Sequence, residues 1–177
     1  MKKLFQVKAI AMFVMALFIT ISAMAQGDKK PASPREKATG VINGANITIE
    51  YGSPSVKGRK IYGELVPFGK MWRAGANEAT KFTTDKEITV EGKKLPAGSY
   101  SVFVTPSEKE AVVTFNSQVG QWGIKGGGLA NEDPAKDVAA VTVKTKTAPA
   151  TEALKYVITS TGFELVWDTT SVPVSIK

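Results

Sequence analysis

VINGANITIEY, residues 41–51, is the stretch that decides the fold. Ile47, Ile49 and Tyr51 alternate with Asn46, Thr48 and Glu50, so an extended chain here turns one apolar and one polar face. Asn43-Gly44 stands just ahead of the run, with Val41-Ile42 before it. An Asn-Gly pair between apolar runs predicts a two-residue hairpin turn, because both positions tolerate a positive φ.

The same period of two recurs outward from this stretch. Phe82 and Ile88-Thr89-Val90 predict further strands, closed by a turn at Glu91-Gly92. Tyr100 to Val104 and Val112 to Phe115 predict a hairpin across Pro106-Ser107-Glu108-Lys109. Ala139, Val141 and Val143 alternate with polar residues, as do Leu154, Tyr156 and Ile158, then Phe163, Leu165 and Trp167. Val172, Val174 and Ile176 close the chain. No window carries a helical stripe of more than a few turns. Short strands separated by Gly and Pro turns predict an all-β single sandwich, jelly-roll-like or immunoglobulin-like, with its strand order open. The expected core includes Ile47, Ile49, Phe103, Phe115, Leu165 and Trp167.

Ahead of these strands lies a different kind of sequence. Lys2, Lys3 and Lys8 make a basic start, Ala9 to Ala23 is uncharged, and Ala23-Met24-Ala25 is a small-x-small cleavage signature before Gln26. The apolar run is short for a bilayer span, which takes ~20 residues. We therefore read 1–25 as a secretory signal peptide, 26–36 (QGDKKPASPRE) as a flexible leader, and 37–177 as the sandwich domain. The protein is expected to be periplasmic or extracellular, with no membrane span in the mature chain. Intact mass of the exported protein should correspond to a chain beginning at Gln26. A membrane-bound species that keeps residues 1–25 would overturn this reading.

Losing Lys2, Lys3 and Lys8 lowers the net charge from +7 to +4. A modest balance spread along the chain, with no basic run interleaved with aromatics, argues against nucleic acid as a partner. The chain has no cysteine and no histidine. That excludes disulfides, Ser-His-Asp and Cys-His catalysis, and Cys/His zinc sites. No cofactor or metal is expected. Glu132, Asp133 and Asp137 match no calcium-loop spacing.

Two segments break the alternation. Residues 117–137 hold Trp122 and Gly126-Gly127-Gly128. Residues 52–80, GSPSVKGRKIYGELVPFGKMWRAGANEAT, hold five glycines and two prolines among charged and aromatic residues. Long irregular segments in a compact domain are usually functional or disordered. Trp72, Arg73, Asn77 and Glu78 put an indole, a guanidinium, an amide and a carboxylate within seven residues. That set suits a sugar or a carboxylated small molecule, the indole stacking while the others make directional hydrogen bonds. Arg59, Tyr62 and Trp122 are second-tier candidates. The competing structural reading has Arg73 and Glu78 pinning the loop by pairing with each other, with Trp72 in the core.

These residues also carry a resemblance. PSVKGRKIYGELVPFGKMWRAGANEAT (54–80), VEGKKLPAGSYSVFVTP (90–106) and QWG (121–123) resemble a bacterial family of exported proteins catalogued as domain of unknown function 2911. The resemblance implies one exported domain and names no mechanism. From the residues, the leading reading is a non-enzymatic sandwich that binds a small polar ligand such as a saccharide or cell-envelope component. A carboxylate-dependent hydrolase using Glu64 and Glu78 is one alternative, since glycoside hydrolysis needs two carboxyls ~5–10 Å apart. A structural or assembly module of the envelope without a small ligand is the other.

Overall fold

The computed structural model describes residues 32–177. The segment read from sequence as a signal peptide, and most of the expected leader, lie outside the described residues. Ten strands follow: β1 (Arg35–Ile42), β2 (Ala45–Gly52), β3 (Thr80–Thr84), β4 (Ile88–Val90), β5 (Lys93–Leu95), β6 (Gly98–Pro106), β7 (Glu110–Asn116), β8 (Asp137–Lys144), β9 (Lys146–Thr159) and β10 (Gly162–Ser175). Arg35 and Glu36, read from sequence as the end of the leader, open β1. Among the described residues no helix is long and apolar enough to cross a membrane.

One antiparallel sheet runs β1-β2-β3-β6-β7-β8. The β9–β10 hairpin forms the facing layer. A bridge between Val90 and Ile176 adds the β4–β5 pair beside it, and a bridge between Ser55 and Ala153 adds residues from the β2–β3 connection. The architecture is an open β-sandwich. The Asn43-Gly44 hairpin forms as its sequence dictates: both residues have positive φ, and Ile42 pairs with Ala45.

Alternation delivers the core. Ile47, Ile49 and Tyr51 point inward, and across the sheet Phe82 lies opposite Ile49 and Tyr100 opposite Phe82. Aromatic rings then meet within the main sheet and across to the β9–β10 layer. Tyr51 meets Tyr156 at 4.8 Å, Phe82 meets Phe163 at 5.7 Å and Phe115 edge-on at 5.3 Å. All six expected core residues are buried. Phe103 is buried differently from the rest. Val102 and Val104 face the inter-sheet cluster, so Phe103 and Ser101 alternate onto the opposite face. The Ser101 hydroxyl there donates to Gln121, in the irregular segment after β7.

β10 joins two stretches that the sequence presents as separate. Inward residues are odd-numbered up to Trp167 and even-numbered from Val172. The change falls at an irregularity in the pairing: the register with β9 slips on both sides of Asp168, whose φ is 55°, and at each slip β9 spans four residues against two of β10.

Candidate functional site

The β2–β3 connection, residues 53–79, travels from the edge of one layer to the other. It leaves β2 at Gly52, where a Cβ would lie 2.0 Å from the Ala76 carbonyl oxygen. Pro54 and Val56 then bond to β9, through Leu154 N–H to Pro54 O and Val56 N–H to Glu152 O. Lys57 and Gly58 turn the chain with positive φ. Arg59 ties that turn, donating to the carbonyls of Val56 (3.0 Å) and Ser55 (2.5 Å). Lys60 and Glu64 pair at 3.3 Å in solvent.

Trp72 arrives at β6 just beyond the end of β3 and exchanges both backbone hydrogen bonds with Val104, each 2.9 Å. Directly paired residues share a face, so the Trp72 indole turns inward with Val104. It stacks on Trp167 at 5.9 Å with an interplanar angle of 26°. Neither indole N–H has a hydrogen-bond partner. Arg73, one residue on, points the other way. Its guanidinium lies 5.4 Å from the centre of the Trp122 ring and donates to the Trp122 carbonyl at 3.0 Å. Gly123, at φ 86°, leaves room for the arginine stem, since a Cβ there would sit 2.6 Å from Arg73 Cβ. Burial pushes the Arg73 pKa down, and the nearby Glu78 carboxylate partly offsets this.

The rest of the motif is bracing. Ala74 has φ 53°, and its carbonyl accepts from the Thr80 and Tyr156 hydroxyls, both at 2.9 Å. Asn77 has φ 65° and donates to Ser33 O at 3.0 Å. Glu78 lies 3.6 Å from Arg35, with both side chains more than half exposed. An exposed pair of that kind contributes at most about 1 kcal/mol. The Arg73–Glu78 pair of the structural reading is therefore absent among the described ion pairs, although Trp72 does reach the core as that reading held. The loop is pinned by carbonyl acceptors and by the segment before β1.

A cleft of about 310 Å³ opens between this connection and the loop after β7. Arg59, Leu65, Trp72, Arg73, Ile124 and Trp167 are among its walls. A second cleft, about 570 Å³, abuts it at Leu65, Trp72 and Gly128 and adds Lys70, Lys125 and Glu132. A larger cleft, about 730 Å³, lies elsewhere, at the β6–β7 turn. Tyr62 is there with Phe68, among lysines and glutamates that solvent already satisfies. Burial pushes the Tyr62 phenol up, and its hydroxyl has no partner. Of the seven residues singled out from sequence, Trp72, Arg73 and Arg59 share the first cleft. Trp122 braces Arg73, Tyr62 sits apart, and Asn77 and Glu78 hold the N-terminal segment. Sequence reasoning missed Trp167 as a cleft residue, because its alternation signals only core. It also passed over Leu65 and Lys125.

Glu132 has a perturbed carboxyl. Burial, then the neighbouring carboxylates of Asp137 and Asp133, raise its pKa from the ordinary 4.5 to about 7, and Lys125 opposes them. Between those values the folded protein keeps a proton that the unfolded chain releases. The stability contributed by Glu132 is thus complete below pH 4.5 and is lost as pH rises through about 7. Glu132→Gln should flatten the decline in melting temperature across that window. Thermal denaturation at closely spaced pH values checks it, and an unchanged slope would count against the assignment. Among the described residues no group of three or more ligating side chains is placed to hold a metal ion.

Residues 33–176 match the family model described as protein of unknown function (DUF2911), and the chain belongs to that family. No curated protein and no solved structure matches it.

Proposed function

We propose that this DUF2911 domain is an exported, non-enzymatic module that binds a small polar ligand, a saccharide or another cell-envelope component, in the cleft between residues 54–76 and the loop after β7. One observation carries the reading. Trp72 and Trp167 are stacked, both line the cleft, and neither indole N–H has a partner. A buried donor without an acceptor costs ~1–3 kcal/mol, which a ligand acceptor would recover where the cleft opens enough to reach the two N–H groups, both closed to solvent here. The cleft is at the small end of the usual range for ligand sites, and it combines ring faces with a few directional donors. Export is supported by the basic start, the uncharged run and the Ala23-Met24-Ala25 signature. The hydrolase alternative finds less support. Glu64 and Glu78 are exposed, each lies beside a cation, and neither lines the clefts described above.

A glycan panel read by intrinsic tryptophan fluorescence and thermal shift tests the proposal. Trp72→Phe keeps a ring in place and removes one N–H. It should weaken binding by ~1–3 kcal/mol while the fold stays intact. A panel that moves neither signal would refute the binding reading in favour of a structural module.

A further inference from the structure

Resting on that reading of the cleft, we infer that its ligand is an anion: a small carboxylate-bearing molecule, with a uronic acid as the type, held by Arg59 and Arg73 against the two indoles. The first argument is the kind of polar group present. The polar side chains lining the 310 Å³ cleft are Arg59, Arg73, Trp72, Trp167 and Ser33. Four of these are donors without any acceptor capacity, and only the Ser33 hydroxyl can accept. A ligand that satisfies them must bring acceptors of its own. The hydroxyls of a neutral sugar can also accept, but each brings an O–H donor that the side chains of this cleft, with only the Ser33 hydroxyl to accept, leave unmet.

The second argument is charge. No carboxylate lines this cleft. Among the described ion pairs neither Arg59 nor Arg73 has an acidic partner. Arg73 is half-buried and makes no ion pair, and the Glu78 carboxylate nearby offsets its burial only in part, a cost that an arriving anion would lower further. The abutting cleft adds Lys70 and Lys125 against a single Glu132. A concave surface lined by one sign of charge concentrates ions of the other sign.

The third argument is geometry. Arg59 commits its Nε and one Nη to the carbonyls of Val56 and Ser55. Arg73 commits one Nη to the Trp122 carbonyl. N–H groups remain on both, and a guanidinium fork matches the two oxygens of a carboxylate. Leu65, Val66 and Ile124 leave the rest of the wall apolar, which suits the C–H face of a ring.

The experiment titrates purified protein with three matched probes, D-glucuronate, D-glucose and glucose 6-phosphate, at low and at physiological salt. Glucuronate should bind at least about tenfold more tightly than glucose, and its affinity should fall as salt rises. Arg59→Gln and Arg73→Gln should each weaken glucuronate about tenfold. Arg59 ties the turn at Val56 and Ser55 and Arg73 braces Trp122, so each variant is compared at an unchanged melting temperature, and a loss of glucuronate affinity without a loss of glucose affinity is the decisive result. Lys94→Gln, remote from the cleft, serves as the control for lost charge and should leave affinity unchanged. If glucose binds as tightly as glucuronate and Arg59→Gln changes nothing, the anion inference falls while the cleft remains a ligand site. If glucose 6-phosphate binds much more tightly than glucuronate, the carboxylate class is overturned in favour of a phosphate. If no probe binds, both the inference and the reading beneath it fail.

Discussion

Trp167→Ala should lower the unfolding free energy by ~3–5 kcal/mol, the range for removing a large buried aromatic side chain. For a domain of this size that corresponds to a melting temperature lower by roughly 10–15 °C. The indole is 1 % exposed and belongs to the inter-sheet cluster. It sits beside Asp168, where the pairing with β9 is irregular, and it carries the inner side of the stack with Trp72. Its loss removes apolar burial from both layers and takes the support from under Trp72. Asp168 limits relaxation, because it already has a left-handed φ of 55° and cannot easily shift to fill the void. Trp167→Phe should recover much of the loss, since a ring remains and an unpaired N–H is removed. Denaturant unfolding of both variants checks this. A loss below about 1 kcal/mol for the alanine variant would show that the site collapses freely, contrary to close packing.

Gly52→Ala should be as damaging, at about 3 kcal/mol or more, beyond the usual cost of one added methyl. A Cβ at this position would lie 2.0 Å from the Ala76 carbonyl oxygen and 2.7 Å from its carbon. Both are backbone atoms, so no side chain can rotate away. Ala76 N–H also donates to Gly52 O at 3.1 Å, which ties the two segments together. Making room means moving the loop that carries Trp72 and Arg73. The variant should therefore lose the tryptophan environment of the cleft as well as stability. Gly58→Ala is the matched control. Gly58 has φ 67° and nothing within 4 Å of a built Cβ, so it should cost only the ~1–2 kcal/mol of a left-handed alanine. Equal stability of the two variants in thermal denaturation would overturn the steric argument.

The strands were legible because strand structure is written locally. Ile47, Ile49 and Tyr51 declare their shared face within five residues, and Asn43-Gly44 declares its turn in two. Even the irregularity at Asp168 left a trace, as the switch from odd to even apolar positions between Trp167 and Val172. The site was legible only as a neighbourhood. Trp72, Arg73 and Arg59 were picked from a motif dense in polar and aromatic residues, and they do share a cleft. Asn77 and Glu78 were picked on the same grounds, yet they reach Ser33 ahead of β1 and Arg35 at its start. Side-chain chemistry does not state its partner when that partner is distant in sequence.

By itself, then, the sequence determined an all-β chain and the faces of most of its strands, with catalysis by histidine or cysteine ruled out. Those properties follow from residue type and from a period of two, and neither depends on what lies across the molecule. The tertiary structure alone decided that Trp72 pairs with Val104 and turns in toward Trp167, that Arg73 turns out to Trp122, and that Arg59 and Arg73 face a cleft without a carboxylate. The physical reason is pairing register. Where the β2–β3 connection meets β6, its alignment sets which of two neighbouring side chains faces the core, and that alignment is fixed by contacts among segments far apart in the chain.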